Sequence, residues 1–133
     1  MNNIFKTLLL FLILTLLSCA KDQIQEVSKI KEINQEMEMI NSYKEGLENI
    51  EKRDYFFASK KFLEAELLYP QSKWAAKSAL MASYSFYLQD YYAEALDNLE
   101  RYILTYPKDK NMAYARFLIA ICYYESVVDE KRD

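Results

Sequence analysis

The 133-residue sequence has no histidine, one glycine and two prolines. Without histidine it lacks the commonest general base and the commonest metal ligand. A lone glycine excludes a Gly-rich, phosphate-cradling loop. So few Gly and Pro residues also leave little material for the tight turns a sheet requires. With Ala, Leu, Glu and Lys abundant, this composition predicts an all-helical chain. Charge is nearly balanced, with 17 Lys and Arg against 20 Asp and Glu. The chain therefore lacks the basic excess of a nucleic-acid binder. Carboxylates such as Glu48, Glu51, Glu94 and Glu100 sit among lysines and read as solvated helix faces. No catalytic residue and no metal ligand is expected, so the chain is read as a non-enzyme.

Only one long apolar run is present, Thr7–Leu17, preceded by Lys6 and followed by Ser18 and Cys19. It is too short to span a bilayer, which takes about 20 residues. Residues 1–18 read as a secretory signal whose removal leaves Cys19 at the mature N-terminus. The pattern resembles a bacterial lipobox, which implies a diacylglycerol and an N-acyl lipid on Cys19. The alternatives are an ordinary signal peptide with a chance cysteine, or an uncleaved anchor. Ala20, rather than Asp, follows the cysteine, which favours the outer membrane over inner-membrane retention. Cys122 lies in an apolar helical run and reads as a small buried hydrophobe.

The chain repeats itself. Tyr69-Pro70 returns as Tyr106-Pro107 at an offset of 37, and the same offset carries Tyr55 to Tyr92, Ala58 to Ala95, Phe62 to Leu99 and Ser72 to Asp109. Each unit reads as two helices: Met39 to Lys52 and Tyr55 to Leu68, then Lys73 to Gln89 and Tyr91 to Thr105. Asp54, Ser72 and Asp109 are expected caps, Asp90 lies in a joint, and Pro70 and Pro107 close the units. Gly46, Ala58 and Pro70 are spaced by 12. Small residues in a helix hairpin let its backbones approach. These spacings resemble the tetratricopeptide repeat. The expected fold is all-α, with tetratricopeptide-repeat hairpins stacked in a right-handed superhelix and an incomplete third repeat.

The expected divisions are a signal peptide at 1–18, a lipidated tether and N-terminal helix at 19–38, repeat 1 at 39–71, repeat 2 at 72–108, and helix A of a truncated third repeat at 109–133. The segment Lys21 to Asn41 reads as a flexible tether entering a helix that packs on the first repeat, with a coiled-coil arm as the alternative. Met112 to Val128 reads as an apolar helix with no partner hairpin. Solenoids cover such faces with a polar cap. The chain is therefore read as a piece of a longer repeat protein, or as one whose partner covers this face.

Binding in such a stack falls to its concave face, lined by A helices. Counting from Gly46, Ser83 and Ala120 places Tyr43, Leu47, Leu80, Tyr84, Phe117 and Ile121 inward, with Tyr87 and Tyr124 one turn further. Tyrosine offers a large contact area with little entropy loss. Each of these residues could equally pack helix on helix.

The lipobox, the paired Tyr-Pro closures, Ala113-Tyr114 and the run Cys122-Tyr123-Tyr124-Glu125-Ser126-Val127-Val128-Asp129-Glu130-Lys131-Arg132-Asp133 resemble the BamD family, the tetratricopeptide lipoproteins of the outer-membrane β-barrel assembly machine. The resemblance covers the mature chain but only the N-terminal portion of the family. It implies a location on the periplasmic face of the outer membrane and a lipid anchor. It further implies binding to unfolded β-barrel precursors, to other Bam lipoproteins and to the POTRA domains of BamA. The family's main BamA-docking repeats lie past the position of Asp133. Other envelope repeat lipoproteins remain as alternatives: a cell-division coordinator, a secretin pilot, or an adaptor for a peptidoglycan enzyme.

Overall fold

The structure, a computed structural model, describes residues 20–130, and side chains over 29–127. Cys19 and the signal segment lie outside the described residues. Among the described residues five helices occur, in the order α1 (Ala20–Glu51), α2 (Tyr55–Leu68), α3 (Ala75–Tyr87), α4 (Tyr92–Thr105) and α5 (Met112–Glu130). The described residues divide into two compact units, with the boundary between Asn34 and Gln35. The second unit is a stack of helix hairpins, the tetratricopeptide-like architecture expected. Consecutive helices from α2 to α5 pack on one another, and α3 also touches α5.

The first helix differs from the expected tether, because it is already helical at Ala20. Its Glu, Lys, Gln and Met residues are all strong helix formers, so little opposes continuation. Ile30, Ile33 and Met37 are exposed, and among the described side chains the first fully buried one is Met39.

Both hairpin turns are made in the same way. The N–H of Asp54 donates to the carbonyl of Asn49 and that of Arg53 to Ile50; 37 residues on, Tyr91 donates to Phe86 and Asp90 to Tyr87. This paired pattern is the Schellman closure, which needs a left-handed residue just past the helix. Arg53 (φ 59°) and Asp90 (φ 61°) occupy that position. The B helices close alike as well. Proline disfavours helical geometry in the residue before it, and Tyr69 (φ −143°, ψ 71°) and Tyr106 (φ −122°, ψ 52°) both leave the helix just ahead of a proline.

Helix starts follow the expected caps. Asp54 accepts from the N–H of Phe57 at 3.3 Å. Ser72 Oγ accepts from the N–H groups of Trp74 and Ala75, both at 3.2 Å. That places the start of α3 two residues later than periodicity suggests. Asp109 accepts from the N–H of Asn111 at 2.8 Å.

Two core clusters meet at α3. Met39, Tyr43, Ala58, Phe62, Ala65 and Ala82 form the first. Ala76, Ala79, Leu80, Ala95, Leu99, Tyr102, Ala115, Leu118 and Cys122 form the second. α3 serves both because it is built of small residues: Ala75, Ala76, Ser78, Ala79, Ala82, Ser83 and Ser85 are all buried on it. Ser83 and Ser85 return their hydroxyls to the carbonyls of Ala79 and Met81. Burial raises the pKa of the Cys122 thiol and keeps it neutral.

A polar staple joins the two repeats. Glu66 on α2 is buried, and Arg101 on α4 grips it through two hydrogen bonds of 2.6 and 2.7 Å. The Tyr106 hydroxyl donates to the same carboxylate at 2.8 Å.

Candidate binding surface

The stack turns the faces of α1, α3 and α5 that are not spent on the core toward solvent. The residues counted inward from sequence divide into two groups. Tyr43 is 6% exposed, and its ring lies 5.3 Å from the rings of both Phe62 and Trp74. Leu80 is likewise 6% exposed, within the second core cluster. Both therefore spend their area on packing. The remaining candidates keep accessible surface. Leu47 is moderately exposed, Phe117 and Tyr124 are well exposed, and Tyr84, Tyr87 and Ile121 are half-buried.

Of these, Tyr84 and Tyr87 come together on α3, with ring centroids 6.2 Å apart and nearly parallel. Tyr87 also meets Tyr92 of α4 at 6.0 Å. On α5, Tyr114 and Phe117 lie 6.4 Å apart. The Tyr114 hydroxyl is raised in pKa by burial and then by the Tyr84 and Tyr87 hydroxyls, so Tyr114 of α5 lies near that pair on α3. Tyr87 is raised by burial and then by the Glu125 carboxylate. Tyr92, which donates to Asp90 at 2.9 Å, is pushed up to about 12 by burial and by that bond. Tyr87, Tyr92 and Tyr114 stay protonated near neutral pH, and the Tyr87 and Tyr114 hydroxyls can donate to backbone carbonyls of an extended peptide.

Counting by repeat position missed Tyr92, Tyr114 and Glu125. Tyr114 falls at a position filled by Lys77 in the preceding repeat, so no aromatic pattern marks it. Tyr92 is the counterpart of Tyr55 and reads as a hairpin-packing residue until Tyr87 is seen beside it.

Helices α2 and α4 carry a second apolar feature. Leu67 on α2 and Leu104 on α4, again 37 residues apart, are 76% and 81% exposed. Leu67 edges a shallow recess with Lys60, Leu63, Glu64 and Leu68.

The fold defines a helix-hairpin repeat protein with exposed and half-buried aromatic residues on α3 and α5. The chain belongs to the outer membrane lipoprotein family YfiO, which matches residues 35–133. It is similar to three proteins named outer membrane protein assembly factor BamD. Identity is 37% over 91 residues with that of Caulobacter vibrioides, covering 68% of this chain and 30% of the relative. With that of Rickettsia prowazekii it is 32% over 91 residues, covering 68% and 36%. With that of Neisseria meningitidis serogroup A it is 31% over 92 residues, covering 69% and 34%. The chain thus spans about a third of the length of the curated relatives it matches. No solved structure matches it significantly. Among the described residues, no helix is long and apolar enough to cross a membrane.

Proposed function

We propose that this chain is the N-terminal, precursor-binding portion of a non-catalytic assembly factor for outer-membrane β-barrel proteins. Cys19 carries a diacylglycerol and an N-acyl chain that hold it to the periplasmic face of the outer membrane. More than one acyl chain is needed for stable anchoring, and this modification supplies it. Family membership and the shared assembly-factor name of the relatives support the pathway.

The observation that carries the binding role is the aromatic strip. Phe117 and Tyr124 on α5 present more than half of their area to solvent, and Tyr84 and Tyr87 stack on α3. Unfolded barrel precursors offer extended segments that end in an aromatic residue, and such a segment can lie along this strip. BamA POTRA domains and other Bam lipoproteins are the complex partners in this reading.

The test is the affinity of a fluorescent peptide copying the last strand of a barrel precursor. Phe117→Ala with Tyr124→Ala removes exposed rings and leaves the core intact. Aromatic anchors at an interface centre cost about 2 kcal/mol or more each when truncated, so binding should weaken at least about thirtyfold. Unchanged affinity in the folded double variant would sink the strip as the binding site.

A further inference from the structure

Away from the aromatic strip, four lysines converge. Lys73, Lys77, Lys108 and Lys110, with Trp74, Asp109 and Asn111, line an open recess of about 530 Å³. The repeat builds it. Lys73 and Lys110 occupy the same repeat position, each following a capping residue, Ser72 or Asp109. The caps fix both turns through the hydrogen bonds to Trp74, Ala75 and Asn111. Successive turns therefore hold their lysines side by side, and α3 adds Lys77 one turn further on.

The charge in this recess is compensated only in part from within, four ammonium groups facing the one Asp109 carboxylate, which Lys110 helps to hold ionised. Among the described residues none of the four lysines is in an ion pair. The single carboxylate, Asp109, is already engaged by the Tyr102 hydroxyl at 2.6 Å and the Asn111 N–H at 2.8 Å. Lys77 Nζ rests 5.0 Å from the Trp74 ring and 5.1 Å from that of Tyr43, a cation–π contact that holds one ammonium at the rim.

We propose that this recess binds an acidic segment of a partner polypeptide. Four like charges gathered on a chain of net charge −3 repel one another and draw in carboxylates. Each ammonium can donate to a carboxylate in a charge-assisted hydrogen bond. An anionic bilayer fits less well. The lysines line a recess rather than a flat face, and the net negative charge of the chain opposes approach to such a surface. The site shares no lining residue with the Tyr84–Phe117–Tyr124 strip, so it stands or falls independently of the precursor-binding reading.

Trp74 is the only tryptophan in the chain, so its fluorescence reports on the recess directly. The full chain in detergent is titrated with hexaglutamate blocked at both ends, which offers only side-chain carboxylates. The expected result is a saturable change in Trp74 emission that weakens about tenfold or more from low to physiological salt. It should weaken similarly in Lys73→Gln with Lys110→Gln, and in the same direction in Lys108→Gln alone. Lys29→Gln with Lys31→Gln, exposed on α1, should leave it unchanged. The proposal is overturned by the absence of a saturable change, or by equal losses in the α1 control. It is also overturned if phosphatidylglycerol vesicles change the emission in a Lys73- and Lys110-dependent way while hexaglutamate does not.

Discussion

A Cβ atom on Gly46 would lie 2.7 Å from the ring of Phe62. Phe62 is fully buried, so its ring has no free direction in which to yield. In the second repeat the same pair is Ser83 and Leu99, both fully buried. There the smaller Leu leaves room for the serine Cβ. Each repeat thus fills one volume by a different split between its A and B helices. Gly to Ala inside a helix normally stabilises by about 1 kcal/mol, but overpacking costs about 1–3 kcal/mol. Gly46→Ala should therefore destabilise the chain, and adding Phe62→Leu should recover part of the loss. Phe62→Leu alone should also destabilise, by leaving a cavity. Urea unfolding of the three variants checks this, and additive effects would contradict the shared volume.

Arg53 and Asp90 hold left-handed geometry without being glycine. That geometry costs an L-residue roughly 1–2 kcal/mol, offset in part by the extra unfolded-state freedom of glycine. Arg53→Gly should raise stability by about 0.5–1 kcal/mol, whereas Arg53→Ala should not. A gain in both would assign the effect to the arginine side chain rather than to the backbone.

Much of this fold is legible in the sequence because its punctuation repeats. Tyr-Pro at 69–70 and 106–107, and the caps at 54, 72 and 109, mark ends that the structure reproduces to within about two residues. The start of α1 was not legible, since a charged segment with good helix formers has the composition of either a tether or a helix. The binding surface was only partly legible. Repeat counting treats Tyr43 and Leu80 as equivalent to Tyr84 and Phe117. Yet Tyr43 is covered by Trp74, and Leu80 packs in the cluster shared by α3, α4 and α5. The Glu66–Arg101 staple left no pattern at all, because its residues occupy different repeat positions and meet only once the hairpins stack.

That staple makes an asymmetric prediction. Glu66 is almost fully buried, while the Arg101 side chain is 42% exposed. Removing one partner of a buried pair costs about 3–5 kcal/mol, and solvent access to the arginine should bring this nearer to about 2 kcal/mol. Arg101→Met strands the carboxylate with only Tyr106 beside it and should destabilise. Arg101→Met with Glu66→Gln leaves no stranded charge and should be less destabilised than the single variant. Thermal unfolding of both reads the difference. A double variant worse than the single would show that the carboxylate acts through something other than this pair.

Tyr102 and Asp109 couple both ends of the pH range. Tyr102 is raised in pKa by burial and then by its hydrogen bond to Asp109, and Tyr106 by burial and then by its bond to Glu66. Tyr92 is raised to about 12 in the same way. A raised phenol favours the neutral form in the fold. Its contribution is complete below the unfolded value of about 10 and is lost as pH climbs toward the folded values. Asp109 moves in the opposite direction: burial works to raise it, but the bonds from Tyr102 and Asn111 outweigh burial and lower it. Its contribution is present above about pH 4 and is lost as pH falls through the depressed value. Stability should therefore drop at both extremes. Tyr102→Phe removes the titrating phenol and one donor to the carboxylate together. It should flatten the alkaline limb above about pH 10 and make the acid limb shallower, on top of a pH-independent loss from the missing hydrogen bond. Urea unfolding across the pH range checks this, and a variant profile parallel to that of the parent would disprove the coupling.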